Sequence, residues 1–255
     1  MNLSIGLIFS NFKIGINKMN NANEVYNAIS ADYEDYSSRK TPYLASIENI
    51  VISEMKGRDG ILDIGTGDGR RFQKLINALN LNDYLAIEPS AEMVELCEKR
   101  GVPVKQSSVE DISNVITRTF DGILALWNVL GHIPTGHGRL NALKQIHSKL
   151  NNGGVFFCDL NNRHNMHSYG YLKVLGRVIL DTIKFDEKRG DAHYTWNING
   201  KSYKGFGHLF TPMEAEKLFA DAGFIISQCW AVNYESGQIS NNKYRGQLLF
   251  KLEKK

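Results

Sequence analysis

The sequence has few cysteines, no apolar run of membrane-spanning length and little net charge. Its three cysteines, Cys97, Cys158 and Cys229, are far apart, and their spacing fits no metal site. We therefore expect free thiols in a reducing compartment, the cytoplasm. No apolar run approaches the roughly 20 residues of a membrane span, so no membrane partner is expected. The apolar stretch 3–16 lacks the basic start and cleavage site of a secretory signal.

Charge and length narrow the class of protein further. The formal net charge is +3, which is too small to indicate nucleic-acid or membrane binding by itself. The 255 residues are 42% hydrophobic and 22% charged, as in ordinary globular proteins. This length fits one large α/β domain with an inserted subdomain.

The segment 60–70, GILDIGTGDGR, is the most informative part of the chain. A short apolar run ends in Asp63, glycines alternate at positions 65, 67 and 69, and a helical apolar pattern begins at Phe72. This order predicts a strand, a tight turn and a helix. Glycine permits positive φ and lets a ligand approach bare backbone, and the helix beyond offers unpaired N–H groups. The turn therefore suits a nucleotide-like ligand. The alternative is a solvated glycine-rich turn in an unrelated α/β protein.

Two acids indicate which kind of nucleotide would bind. The pattern is D-x-G-x-G-x-G rather than the dinucleotide fingerprint G-x-G-x-x-G. The carboxylate of Asp63 would repel a pyrophosphate but would suit an ammonium or sulfonium group. Glu88 ends the next apolar run, 84–87, at about the offset of a ribose-binding acid.

These residues resemble the class I S-adenosylmethionine-dependent methyltransferases. The segment 63–69, DIGTGDG, resembles their first motif, and Glu88-Pro89-Ser90 resembles the acidic end of their second strand. The resemblance implies S-adenosylmethionine as cofactor. It also implies a Rossmann-like seven-stranded sheet with helices on both faces and an antiparallel last strand. An N-terminal helical cap and an α+β insertion after strand five complete the expected fold.

The resemblance also implies which residues contact the cofactor. The two carboxylates would hold its cationic amino-acid tail and its sugar. Ser107 and Ser108 stand where an acid is more usual, so the adenine contacts are expected from the two residues after them. Tyr33 and Arg39 of the cap are also expected to line the site. The alternative is that the tyrosine is a packing residue and the arginine is a surface charge. The expected contacts are Asp63, Gly65, Thr66, Gly67, Glu88, Pro89, Val109, Glu110, Leu126, Trp127, Asn128, Tyr33 and Arg39.

The segment after the fourth predicted strand, 120–126, supplies the catalytic candidate. It lacks the Asn or Asp, two prolines and aromatic residue that amide- and base-modifying members of the family carry, which argues against adenine-N6 or glutamine-N5 methylation. His132 follows this strand on the ligand edge of the sheet and titrates in the right range for a general base. The alternative is a structural histidine near Trp127.

The segment 161–207 departs from the alternation of strands and helices that precedes it. A helix is expected over 169–183, and alternation around Asn199-Gly200 predicts a hairpin over 193–203. The segment contains eight lysines and arginines and four acids. This excess of positive charge indicates either a solvated face or a surface that attracts an anionic substrate. Insertions at this point build the substrate pocket in the family, which makes His193, Tyr203 and His208 candidate substrate contacts. His164 and His167 have no supporting acids nearby, so we expect surface positions and no metal.

The end of the chain distinguishes this family from nicotinamide-binding folds. Thr211, Pro212 and Glu214 predict a helix start with a capping box. Two long strands, 224–232 and 244–252, are expected to form a closing hairpin. We expect four regions: an extension (1–22), a helical cap (23–57), the methyltransferase core (58–162 and 208–255) and an inserted substrate-side subdomain (163–207).

The function expected from these features is methyl transfer to a nitrogen or oxygen of a small molecule. One alternative is an RNA- or protein-modifying methyltransferase that uses the basic insertion. Another is a non-catalytic nucleotide-binding module. The acceptor and the oligomeric state are left open.

Overall fold

A mixed β-sheet forms the centre of the computed structural model, which describes residues 26–27, 41–198 and 201–255. Within these ranges the strands are β1 (Ile61–Ile64), β2 (Tyr84–Glu88), β3 (Val104–Gln106), β4 (Phe120–Ala125), β5 (Leu150–Leu160), β6 (Asp191–Ile198), β7 (Lys201–His208), β8 (Phe224–Val232), β9 (Ile239–Ser240) and β10 (Gln247–Lys254). The central sheet has the order β3-β2-β1-β4-β5-β10-β8-β9, and β6 and β7 form a separate two-stranded sheet.

Helices cover both faces of the central sheet. They are α1 (Thr41–Met55), α2 (Arg70–Leu79), α3 (Ala91–Lys99), α4 (Ile112–Val115), α5 (Gly136–Lys149), α6 (Met166–Tyr169), α7 (Tyr171–Ile183) and α8 (Pro212–Asp221), with short 3-10 helices at Val129–His132 and Glu187–Gly190. Tyr26 and Asn27 are also helical. None of the described helices combines the length and apolarity needed to cross a bilayer.

Two hydrophobic cores lie on the two faces of the sheet. One contains Leu143 of α5 and Phe219 of α8, and the other contains Ile47 of α1 and Phe72 of α2. All four residues of β1 are buried, as expected for a central parallel strand. The carboxyl ends of β1, β2, β4 and β5 therefore meet at one edge, where ligands bind in open α/β sheets.

The predicted fold class is confirmed, with two differences in detail. β10 pairs antiparallel with β5 and β8, as predicted for the closing strands. The sheet has eight strands rather than seven because the short β9 adds to the edge at β8. β5 begins at Leu150 rather than at Val155, where the sequence predicts the fifth strand, because Leu150 pairs with Phe120 before the register shifts.

Local signals place several helix ends. The Ser90 side chain accepts a hydrogen bond from the Met93 amide and caps α3. At α8 the Thr211 hydroxyl accepts from the Glu214 amide, and the Glu214 carboxylate accepts from the Thr211 amide, so the predicted capping box is confirmed.

The segment between β5 and α8 forms the predicted helix and hairpin. β6 and β7 pair from Asp191↔His208 to Ile198↔Lys201, which leaves a two-residue connection outside the described residues. The expectation of a surface position is wrong for His164, which is buried with Nε2 3.0 Å from the Asp181 carboxylate. Asp181, 17 residues away in α7, supplies the acid that the local sequence lacks.

Candidate functional site

The glycine turn after β1 has the backbone that its sequence requires. Gly65, Gly67 and Gly69 have φ of +67°, +62° and +79°, a region that side chains rarely adopt. A Cβ on Gly65 would lie 2.8 Å from Cγ2 of Val129, so the turn packs closely against the segment after β4. The backbone of the turn is therefore bare at the ligand edge.

The carboxylates of Asp63 and Glu88 share one buried region beside this turn. Glu88 accepts hydrogen bonds from the amides of Gly67 (2.9 Å) and Ser90 (3.0 Å). Both acids are almost fully buried; Glu88 is the last residue of β2, and Asp63 lies one residue before the end of β1. The geometry brings together the two acids that the sequence singled out.

Burial shifts the titration of both acids. Desolvation raises the pKa of Asp63 to about 6, against the opposing effect of the Arg71 guanidinium. Desolvation also raises the pKa of Glu88 to about 7; its two backbone hydrogen bonds lower it, and the nearby Asp63 charge raises it. Both carboxylates are thus poised to gain from a cationic or hydroxyl-bearing ligand.

Two polar atoms at this place meet no partner among the described residues with the distance and angle of a hydrogen bond. They are Oδ1 of Asp63 and the hydroxyl oxygen of Thr66, both buried. A buried polar atom without a partner costs about 1–3 kcal/mol, so such atoms usually await a ligand or water. The donor set, two carboxylates and a hydroxyl beside bare glycine backbone, fits S-adenosylmethionine.

The loop after β4 is held in an uncommon conformation. Trp127 and Asn128 have φ of +74° and +59°, which non-glycine residues seldom adopt. The Asp159 carboxylate at the end of β5 accepts hydrogen bonds from both of their amides. The Asn128 side chain in turn accepts from the Asn161 amide at 2.9 Å. Such over-determined local strain often marks functional sites.

Three residues of this arrangement were missed by the sequence analysis. Asp159 is buried, and the Tyr43 hydroxyl donates to it at 2.5 Å. Burial raises the pKa of Asp159, and Arg71 opposes that shift. Arg71 also donates to the Leu126 carbonyl at 3.0 Å. For Asp159 the sequence did offer a signal, an acid within the apolar run 155–160. The sequence around Tyr43 and Arg71 offered no signal of their contacts.

His132 links three separate parts of the chain. Its Nδ1 lies 3.2 Å from the Phe206 carbonyl in β7, and its Nε2 lies 3.0 Å from the Tyr26 hydroxyl. A carbonyl only accepts, so Nδ1 carries the proton and Nε2 accepts from Tyr26 when the ring is neutral. Desolvation lowers the pKa of His132, partly offset by the Phe206 carbonyl, which favours this neutral form.

The helical residues Tyr26 and Asn27 pack against the ligand edge of the sheet. Tyr26 packs near Met93 and Trp127, and the Ser90 hydroxyl donates to the Asn27 side chain at 2.5 Å. These contacts reach from the end of β2 to the loop after β4, so Tyr26 and Asn27 lie against both.

The other predicted cofactor residues differ in exposure. Val109 and Leu126 are buried, Pro89 is half-buried and Glu110 is exposed. Tyr33 and Arg39 lie outside the described residues, as does the extension 1–22. The cofactor roles of all these residues stay predictions.

The three candidate substrate residues of the insertion do not share one environment. His193 is exposed, with its ring 5.6 Å from that of Phe206, and Tyr203 is half-buried on β7. His208 is fully buried, with Asp191 and Glu214 carboxylates each 2.8 Å from a ring nitrogen. These contacts give no support to a substrate role for His208.

Replacing His208 with alanine should lower the free energy of unfolding by about 3 kcal/mol, because it removes a buried ring between two carboxylates and leaves Oε1 of the buried Glu214 with only Arg139, 3.8 Å away. Urea denaturation measures this. His193→Ala is the matched control on the same hairpin and should change stability by no more than about 0.5 kcal/mol. Equal stabilities of the two variants would show that the buried pair contributes nothing.

Comparison with known proteins identifies the family. The sequence model described as "Methyltransferase domain" matches residues 41–228, well over half of the chain. The chain belongs to this methyltransferase family. An uncharacterized protein of Methanocaldococcus jannaschii is 22% identical over 227 residues, which cover 88% of this chain and 84% of that protein.

Solved methyltransferase structures share the fold. The CcbJ methyltransferase of Streptomyces caelestis has a TM-score of 0.67 at 12% identity, over 90% of this chain and 97% of that one. CalS10, an amino pentose methyltransferase of Micromonospora echinaspora solved with bound S-adenosylmethionine, has a TM-score of 0.59 at 15% identity, over 88% and 96%. The predicted methyltransferase family and fold are therefore confirmed.

Proposed function

We propose that this methyltransferase transfers a methyl group from S-adenosylmethionine to a nitrogen or oxygen atom of a small molecule. The observation that carries the proposal is the pair of buried carboxylates, Asp63 and Glu88, beside bare glycine backbone. The unpartnered Oδ1 of Asp63 supports it further. When bound, the cofactor supplies an activated methyl carbon on a sulfonium centre.

Each carboxylate has a distinct proposed task. Asp63 binds the ammonium of the amino-acid tail, and Thr66 offers its hydroxyl to the same end. Glu88, at the tip of β2, binds the ribose hydroxyls, as acids at this position do in dinucleotide folds. Val109 and Glu110 line the adenine edge. Together these contacts orient the reacting carbon, which is worth about 7–11 kcal/mol of barrier when both reactants are held.

His132 is the proposed general base. Because Nδ1 carries the proton, Nε2 keeps its lone pair. In the absence of substrate this lone pair accepts a hydrogen bond from the Tyr26 hydroxyl. An acceptor that displaces this hydroxyl meets a base ready to remove its proton. Such a base matters only for a nucleophile that still carries its proton.

The surroundings of His132 support a small acceptor. Tyr26 on one side and Phe206 of β7 on the other enclose the ring. We assign residues 163–207 to the substrate side, 23–57 to the cap, 58–162 and 208–255 to the core and 1–22 to an extension. His193 and Tyr203 remain proposed substrate contacts. The amino pentose methyltransferase CalS10 makes amine-bearing sugars a reasonable first class to test.

The free thiols support a cytoplasmic location. Cys97, Cys158 and Cys229 are all unpaired. Burial raises the pKa of Cys97 to about 12 and that of Cys229 to about 12, so neither is a reactive thiolate at neutral pH.

A labelled-methyl assay tests the proposal. The protein is incubated with S-adenosylmethionine carrying a labelled methyl group and with panels of small amines, amino sugars and phenols, with tRNA as a comparison. Mass spectrometry should show label in a small molecule. Label that enters only tRNA or protein would overturn the small-molecule assignment.

Cofactor affinity should depend on pH because both carboxyls have raised pKa values. Folding raises the pKa of Asp63 from 3.8 to about 6 and that of Glu88 from 4.5 to about 7. Between these values the ligand-free fold holds protons that the unfolded chain releases. Stability of the ligand-free protein therefore falls as pH rises through this window. The ligand's ammonium requires the ionised form of Asp63, so affinity for S-adenosylhomocysteine should fall about four-fold from pH 7.5 to 5.5. Isothermal titration measures this, and constant affinity would contradict the assignment.

A further inference from the structure

Helix α7 presents its apolar side chains to solvent. Six of the eleven large apolar side chains exposed in the described ranges lie on this one helix, with exposures from 46% to 87%. They are Tyr171, Leu172, Leu175, Ile179, Leu180 and Ile183. Scattered exposed apolar residues are normal, but a contiguous set on one helix marks an interaction surface.

The opposite side of α7 is buried and polar. Its buried residues are Val174 and Asp181. The Asp181 carboxylate lies 2.9 Å from Nε of Arg163, 3.0 Å from His164 and 3.3 Å from Arg189. These buried ion pairs fix the rotation of the helix, since turning the apolar face inward would leave Asp181 or its partners unpaired.

The exposed side chains form a continuous stripe. Residues 172, 175, 179 and 183 follow the spacing of a helix that packs against another helix. Gly176, within the same face, has open space around its Cβ position. A mid-helix glycine costs about 1 kcal/mol relative to alanine, and close approach of a second backbone is the usual compensation.

The size of the patch suits a protein interface. The exposed fractions amount to on the order of 600 Å² at roughly 150 Å² for each fully exposed large side chain. This is the upper end of what monomers expose. Phe185, just beyond the helix, extends the patch into a cleft of about 240 Å³ that Leu140 and Leu218 also line. The surface thus approaches the ~800 Å² that each partner contributes to a standard interface.

We propose that the exposed face of α7 is the contact between two copies of this chain. A self-complementary apolar stripe is what a two-fold interface needs, because each copy offers the same patch. Exposed charges of both signs border the patch, Lys184 and Lys188 beside Asp186 and Glu187, so no excess of positive charge marks it as a surface for anionic lipid. This inference does not depend on the proposed function.

Sedimentation velocity of the full chain tests the proposal. Between about 1 and 100 μM the wild type should sediment at twice the chain mass of 28.7 kDa. The double variant Leu172→Asp/Ile179→Asp should weaken association at least about 100-fold and sediment as a monomer. Both positions are solvent-exposed, so its urea midpoint should match that of a wild-type monomer sample.

The control variant carries the same changes elsewhere. Ile225→Asp/Ile239→Asp alters two exposed apolar residues of β8 and β9 and should remain dimeric. A monomeric wild type at every concentration, or a dimeric Leu172→Asp/Ile179→Asp variant, would overturn the proposal. So would a monomeric wild type that floats with phosphatidylglycerol vesicles, which would assign the face to a lipid surface.

Discussion

Replacing Asp63 with alanine should weaken binding of S-adenosylhomocysteine at least about 100-fold. A buried charge-assisted contact contributes about 1.5–3 kcal/mol, and losing it leaves the ligand's ammonium unpaired in a desolvated place. Each 1.4 kcal/mol is a factor of ten in affinity. Isothermal titration gives the dissociation constant directly.

The control for Asp63→Ala is another carboxylate on the same sheet. Asp121 lies near the opposite end of the parallel strands, where it accepts a hydrogen bond from Asn151 at 2.7 Å. Asp121→Ala should bind the ligand like the wild type. Because burial raises the pKa of Asp63, its ionised form destabilises the empty fold at neutral pH. Asp63→Ala should therefore stay folded, and wild-type affinity in it would show that the site is misplaced.

Gly65→Val is a second, independent test of the same site. Valine at φ +67° is strained, and its Cβ would lie 2.8 Å from the side chain of Val129. The turn would have to move, and with it the bare backbone that faces the ligand. We expect loss of detectable ligand binding.

Replacing His132 with alanine should lower kcat by about 100-fold while cofactor affinity changes less than about two-fold. A general base contributes about 10²–10⁴-fold, and the ring does not belong to the carboxylate pair that holds the cofactor. Steady-state kinetics with the acceptor found in the labelling assay, together with titration of the cofactor, separates the two effects.

Two further variants make the His132 test specific. His137→Ala removes an exposed histidine of α5 and should leave kcat unchanged. Tyr26→Phe removes the hydroxyl that occupies Nε2, and should change kcat less than His132→Ala does. Because desolvation lowers the pKa of His132, the acid limb of the kcat profile should lie below the ordinary histidine value and vanish in His132→Ala. Unchanged turnover in His132→Ala would make this histidine structural.

Features set by adjacent residues were predictable from the sequence. The glycines at 65, 67 and 69 require positive φ, and the structure has it at all three. Asn199-Gly200 located the hairpin, and Thr211 with Glu214 located a capping box. Each of these depends on bond geometry within a few residues, so the local sequence determines it.

Contacts between distant residues were not predictable. Tyr26 and His132 are 106 positions apart, and Tyr43 and Asp159 are 116 apart. Neither tyrosine carries a local sign of its partner, because the packing of helices on the sheet brings these distant residues together. The burial of His208 has the same origin: Asp191 lies opposite it on β6, and Glu214 belongs to the next helix.

Helix α7 shows a different limit. The sequence predicted a helix over 169–183 but not which side of it is buried, and the structure buries Val174 and Asp181. The ion pairs with Arg163 and Arg189 decide the rotation, and both arginines lie outside the helix. The sequence of the helix itself therefore does not determine which side packs on this chain.

A crystal structure of the complex with S-adenosylhomocysteine tests the central claim most directly. The account predicts the Asp63 carboxylate within hydrogen-bond distance of the ligand's ammonium and the Glu88 carboxylate on its ribose hydroxyls. The sulfur should then point toward the side of the site where His132 lies. A ligand bound away from these two carboxylates would contradict the account.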